Sequence, residues 1–173
     1  MFWTNKLPRK IKAYAVLQHV KSVAQYLLGL TRMRSVFVHL IGVTRDAVRA
    51  RLSEFAHGVG DDWRFPRDSK SHTLEIGFYR DLELESEPED LEILKSSLGQ
   101  LPDLIVFANI SGRIPGDAEA RQFVTFLLRH FRGVAWDDYT SHCWTLAEIE
   151  SDHKVSGHPF FDYDGWYKEK HEA

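Results

Sequence analysis

The amino-acid sequence predicts a single α+β domain, residues 1–173, built on one mixed or antiparallel sheet with helices packed on one side. Two observations lead to this class. Segments whose apolar residues recur at helical spacing alternate along the chain with segments typical of strands. The strands expected outside the centre have one polar face, as in a sheet covered by helices on one side. A ferredoxin-like sandwich with an added N-terminal helix fits this order.

Residues 8–30 predict an amphipathic N-terminal helix. Pro8 suits a first helical turn, and apolar residues recur near helical spacing up to Gly29. Residues 1–34 contain seven Lys or Arg and no acidic residue. Because basic amphipathic segments also bind membrane surfaces or serve as targeting signals, three interpretations stay open. The helix packs on the core, contacts a membrane, or contacts a partner.

The α+β core is expected over residues 35–149. Residues 35–42 form a short β-branched and apolar run of strand length. Thr44 is a good N-cap for a helix over 45–57. Residues 58–71 are rich in Gly, Asp, Ser and Pro, which predicts a loop.

Residues 74–84 contain the clearest strand pattern. Apolar residues occupy alternate positions, and the opposite phase is mostly acidic. One face of this strand should therefore be buried and the other wet. Pro88 and an acidic first turn then predict a short helix over 89–98, which Gly99 ends.

The remaining core is predicted from an apolar run, a turn and a helix. Residues 103–110 are nearly all apolar, as in a central strand, and 111–116 form a turn. A helical stripe over 117–132 leads to a short strand at 134–136. A Thr145–Glu148 capping box then starts another short helix. We expect the tail, 151–173, to be irregular, aromatic and acidic.

The composition indicates an ordered globular protein. Hydrophobic residues make up 43% of the chain and charged residues 27%, which excludes a typical disordered protein. Cys143 is the only cysteine, so neither an intramolecular disulfide nor a multi-cysteine zinc site can form. The sequence has no signal-peptide pattern and no run of 18 apolar residues. A cytoplasmic location is therefore expected, with no membrane partner.

Three residue groups are candidates for a metal, catalytic or phosphate-binding site. A C-terminal Asp/His cluster offers ligands for a divalent metal, but its spacing matches no metal motif; it comprises Asp137, Asp138, His142, Asp152, His153, His158, Asp162 and Asp164. Cys143 beside His142 could be a nucleophile, although free cysteines are usually buried. The turn 111–116 lacks the lysine of a phosphate-binding loop. We expect no catalytic, metal or cofactor site, and keep a metal-dependent hydrolase or nuclease as the alternative.

Acidic residues supply the stronger functional indication. Residues 71–173 contain nine basic and twenty acidic residues, and 81–92 contain seven acidic residues and no basic one. Such a surface either keeps an edge strand soluble or attracts a basic partner. An acidic surface also repels the phosphates of nucleic acid, so we expect no nucleic-acid partner. The predicted partner-binding residues form two groups, Glu83, Glu85, Glu87 and Asp90 in the first, and Trp136, Asp137 and Asp138 in the second, with Trp136 as an aromatic anchor.

Three segments resemble the C-terminal half of bacterial polymorphic-toxin immunity proteins, including the partners of contact-dependent growth-inhibition toxins. They are 110–113 (Ile-Ser-Gly-Arg), 131–138 (Phe-Arg-Gly-Val-Ala-Trp-Asp-Asp) and 143–149 (Cys-Trp-Thr-Leu-Ala-Glu-Ile), in a region of about 40 residues. The resemblance implies a small, non-catalytic α+β domain that blocks a basic toxin domain, commonly a nuclease, in a stoichiometric complex. It implies no cofactor and transfers no individual site residue.

Overall fold

The structure is a computed structural model that describes residues 33–66, 73–79, 87–110 and 114–172. Its strands are β1 (Arg34–Leu40), β2 (His57–Val59), β3 (Asp62–Phe65), β4 (Leu74–Phe78), β5 (Leu104–Ile110) and β6 (Gly133–Asp137). Its helices are α1 (Arg45–Phe55), α2 (Pro88–Leu98), α3 (Asp117–His130), α4 (Leu146–Glu150) and α5 (Tyr163–Glu172). The predicted N-terminal helix, 8–30, lies outside the described residues.

The described strands form one antiparallel sheet in the order β2-β3-β4-β5-β1-β6. Four of them, β4-β5-β1-β6, have the order and directions of a ferredoxin-like sandwich, with α1 between β1 and β4 in the chain and α3 between β5 and β6. The β2–β3 hairpin extends the sheet beyond β4. The α+β class and the antiparallel sheet are therefore confirmed.

The two faces of the sheet are covered differently. On the inner face, alternate residues of β1 and β5 such as Val38 and Val106 pack against Leu52 of α1 and Leu127 of α3 in the main core. On the outer face, α2 packs against β6 through a smaller cluster of Ile41, Leu94, Leu98, Val134 and Cys143. The helices α1 and α3 cover one face of the sheet, as the sequence predicts, whereas α2 lies on the opposite face.

Local signals position the helices where the sequence predicts them. Thr44 caps α1, its side chain accepting the Ala47 N–H. Gly99, with φ of 80°, ends α2 in the left-handed conformation that glycine tolerates. Thr145 and Glu148 form the complete capping box of α4.

Two predictions are wrong. The loop expected at 58–71 contains most of the β2–β3 hairpin, whose strands are too short to show a periodic pattern. The tail expected to be irregular contains α5. Asp162 starts this helix, its side chain accepting the Gly165 N–H at 3.0 Å, but a glycine in the first turns obscured the helical pattern.

Candidate functional site

Three aromatic side chains lie side by side on the outer face of the sheet. Phe37 on β1 is directly opposite Phe107 on β5 and Trp136 on β6, so their side chains share one face. All three are half-buried. We call Phe107, Phe37 and Trp136 the aromatic row. Because it crosses three hydrogen-bonded strands, its positions are fixed by the sheet and not by a loop.

Gly77 on β4 makes room at one end of the aromatic row. It is directly opposite Phe107, and a Cβ atom at Gly77 would lie 2.9 Å from Cζ of that ring. The missing side chain thus lets the ring of Phe107 lie over the neighbouring strand. Tyr79 adds an edge-to-face contact with Phe37 at a centroid distance of 5.8 Å. The row and Tyr79 therefore place four aromatic side chains on neighbouring positions of this part of the sheet.

Beside Trp136, on the same face of the sheet, lies a dry layer that includes His39. This histidine is 3% exposed, and its ring meets the indole of Trp136 edge to face at 5.1 Å. Within the described part of the chain neither of its ring nitrogens has a hydrogen-bond partner. Burial lowers the pKa of His39 to about 3, so the ring is neutral near pH 7. His39 packs beside Trp136 and is almost completely shielded from solvent.

Cys143 belongs to the same dry layer. It packs in the cluster between α2 and β6 and is 9% exposed. Burial raises the pKa of its thiol, which disfavours the thiolate that a nucleophilic cysteine requires. The structure thus places Cys143 in a packing role.

The acidic side chains of α2 lie on the same side of the sheet as the aromatic row. Four carboxylates occupy the start and first turns of this helix, namely Glu87, Glu89, Asp90 and Glu92. None of the four forms an ion pair in the described ranges of the chain, and Glu87 caps the helix without a side-chain hydrogen bond. By contrast, Arg49 of α1 pairs with Asp61, and Arg129 of α3 pairs with Glu150. Among the described residues, these four carboxylates therefore lack the basic partners that Asp61 and Glu150 have.

Two of the acidic residues predicted to bind a partner, Glu87 and Asp90, lie at the start of α2. Glu83 and Glu85 lie in 80–86, outside the described residues. The alternating strand expected at 74–84 is observed over Leu74–Phe78.

Asp137 and Asp138 have different environments although they are neighbours in sequence. Asp137 is 7% exposed, and its Oδ1 accepts the N–H groups of Tyr139 and Thr140 while its Oδ2 accepts the N–H of Phe161. These bonds use the carboxylate to join the loop after β6 to the C-terminal segment. Asp137 is thus an internal anchor.

Asp138 has the exposed position of the two. It follows the last residue of β6 and is two residues after Trp136 in the chain, and its Oδ2 accepts the Ser35 N–H of β1 at 2.5 Å. It reaches solvent, yet the surrounding chain removes enough water from the carboxylate to raise its pKa to about 6, and the charge of Asp137 adds to this effect. Asp138 therefore supplies a carboxylate beside the aromatic row.

The histidines and aspartates of the C-terminal segment are held in separate contacts. His158 bonds Asp162 through Nδ1 at 2.9 Å and Glu169 through Nε2 at 2.7 Å, and its ring stacks on Trp166. Its pKa is raised, chiefly by the hydrogen bond to Asp162. These contacts hold the start of α5 against the preceding loop.

The other members of the expected cluster do not join His158. His142 bonds Glu148 at 3.0 Å, and Asp152 bonds Arg121 of α3. Across the described residues no three His, Cys, Asp or Glu side chains are grouped so that they could hold a metal ion. No helix among those described is long and apolar enough to cross a membrane.

No protein-family model, curated protein or solved structure matches this chain. The outer face combines half-buried aromatic rings, carboxylates that form no ion pair among the described residues, and an apolar support.

Proposed function

We propose that this protein is a non-catalytic binding module, an immunity protein that neutralises a cognate toxin domain, such as a nuclease, in a stoichiometric complex. The observation that carries the proposal is the group of carboxylates at the start of α2, which form no ion pair among the described residues and lie on the same sheet face as the aromatic row. Carboxylates without internal partners attract a basic protein surface and accelerate its association. Aromatic residues near such charges are typical anchors of protein interfaces.

The partner is to be isolated with the chain itself. A tagged protein is purified from its source cells, and proteins that remain bound are identified by mass spectrometry. We expect a basic protein domain at a one-to-one ratio whose expression alone arrests growth and whose co-expression with this chain restores it. A captured protein that is harmless to cells would contradict the immunity function.

Charge reversal then locates the interface. In Glu87→Lys/Asp90→Lys, the association rate with the isolated domain should fall about tenfold at low salt, and its salt dependence should weaken. The matched control is Glu54→Lys/Glu119→Lys, which changes the net charge equally on α1 and α3. Equal association rates for the two double variants would remove α2 from the interface.

A further inference from the structure

The aromatic row combines three half-buried rings with a nearby carboxylate. Phe37 and Phe107 pack against neither of the two buried clusters that the described residues form, although both are large and apolar. Asp138 is two residues after Trp136 in the chain, and its Oδ2 accepts the N–H of Ser35 on β1. Ser35 and Phe37 are residues i and i+2 of this strand and lie about 7 Å apart, so one side chain can reach both the carboxylate and the ring of Phe37.

The same combination binds arginine twice within this fold. The guanidinium of Arg45 lies over the ring of Phe78 at 4.5 Å and pairs with the Asp61 carboxylate at 2.9 Å. The guanidinium of Arg34 lies over the ring of Tyr163 at 4.0 Å, with Asp117 at 3.8 Å. A planar guanidinium can stack on a ring and bind a carboxylate at once, which the compact lysine ammonium does less well.

The charges around the aromatic row select the class of partner. Single-stranded nucleic acid also stacks on exposed rings, but its phosphates would approach Asp138 and the α2 carboxylates. A basic protein segment would meet complementary charge at the same positions. Charge complementarity therefore favours a cationic side chain, and the planar rings favour arginine.

We propose that the aromatic row and Asp138 form a docking site for an arginine side chain presented by the partner protein. This inference rests on the proposed function and adds the chemistry of the partner's contact. One guanidinium would stack on the row and share its N–H donors with the carboxylate of Asp138. The α2 carboxylates would accelerate the encounter, whereas the row would hold the arginine after docking.

The probes are acetylated, amidated dipeptides of arginine, lysine or glutamate, titrated into the full chain with detection by NMR and calorimetry. Arg-Arg should bind at least about fivefold more tightly than Lys-Lys, and Glu-Glu should not bind. In Phe37→Leu/Phe107→Leu, which keeps apolar volume but removes both ring faces, Arg-Arg binding should weaken about fivefold to tenfold. Asp138→Asn should weaken it about threefold or more. Tyr167→Leu, which removes an exposed ring on α5, is the matched control and should bind as the parent does.

A measurement on the unmodified chain tests the inference even if Phe37→Leu/Phe107→Leu does not fold. Arg-Arg should shift the indole N–H resonance of Trp136, assigned by its loss in Trp136→Phe. Equal binding of Arg-Arg and Lys-Lys, unchanged binding by the row variants, or an unshifted Trp136 resonance would each overturn the inference.

The two proposals can fail separately. If row variants dissociate from the isolated toxin at the parent rate while α2 variants associate with it more slowly, the arginine site is refuted and the immunity function stands. If Arg-Arg binds at the row but purification from source cells yields no toxin, the arginine site stands and the immunity function is refuted.

Discussion

Replacing His39 by leucine tests the dry layer beside the aromatic row. In the folded protein His39 is buried with both ring nitrogens unpaired among the described residues, and its pKa is lowered to about 3. In the unfolded chain the pKa returns to the ordinary value of 6.5. Below that pH only the unfolded chain takes up the proton, so stability is lost as the pH falls from about 6.5 towards 3.

The loss can be calculated from linkage. Each pH unit below the unfolded pKa costs about 1.4 kcal/mol, so His39 removes about 2 kcal/mol between about pH 7.5 and pH 5. A leucine side chain at this position would not titrate. At neutral pH the substitution also removes two unpaired polar atoms, a gain of about 1–3 kcal/mol, and loses the edge contact with Trp136, a cost of about 0.5–1.5 kcal/mol. His39→Leu should therefore be about 1 kcal/mol more stable near pH 7.5 and about 3 kcal/mol more stable near pH 5.

Urea unfolding of the parent and His39→Leu at both pH values measures this difference. Titrations common to both proteins cancel, including that of Asp138, whose raised pKa increases stability as the pH falls. His153→Gln, at an exposed histidine, is the control and should keep the parent's pH dependence. If the parent and His39→Leu lose the same stability between the two pH values, His39 is not held neutral and the description of a dry layer is refuted.

Three further substitutions test other contacts. Gly133→Ala should destabilise the fold by about 3 kcal/mol in urea unfolding, because its Cβ would lie 2.3 Å from the His39 carbonyl oxygen; a cost below about 0.5 kcal/mol would contradict that packing. Asp137→Ala should cost about 3 kcal/mol by leaving backbone N–H groups unpaired, whereas Asp137→Asn should recover part of this, and equal losses would argue against the hydrogen bonds. The raised pKa of His158 means that its contribution is complete below 6.5 and is lost as the pH rises through the folded value. The difference in melting temperature between the parent and His158→Gln should thus be larger near pH 6 than near pH 9, and a constant difference would exclude the protonated contact with Asp162.

Elements with local signals could be predicted from the sequence. Thr44 and the Thr145–Glu148 pair specify helix starts within four residues, and both are observed as caps. The start of α2 is also specified by neighbouring residues, namely Pro88 and the acidic residues of the first turn. The β2–β3 hairpin could not be predicted, because three- and four-residue strands contain too few positions to establish a period of two.

The candidate site could not be predicted from the sequence, because its residues come from strands that are far apart in the chain. Phe37 and Phe107 belong to runs in which both faces are apolar, so alternation could not show that their rings share the outer face. Their proximity follows from the register that places β1 against β5. The sequence predicts Asp137 and Asp138 together as a partner-binding pair, because it does not show that Asp137 is the buried last residue of β6 and that Asp138 lies just beyond the strand and is exposed.

The central position of β1 has a consequence for protein synthesis. Arg34–Leu40 lies between β5 and β6, so both neighbours of this strand are made only after Leu104–Ile110 and Gly133–Asp137 have been translated. At ordinary translation rates the apolar residues of β1 wait roughly 5–20 s for their partners on the ribosome. Pairing across such sequence separations also makes folding slow. Expression of this chain should therefore depend on chaperones that bind the nascent strand until β6 emerges.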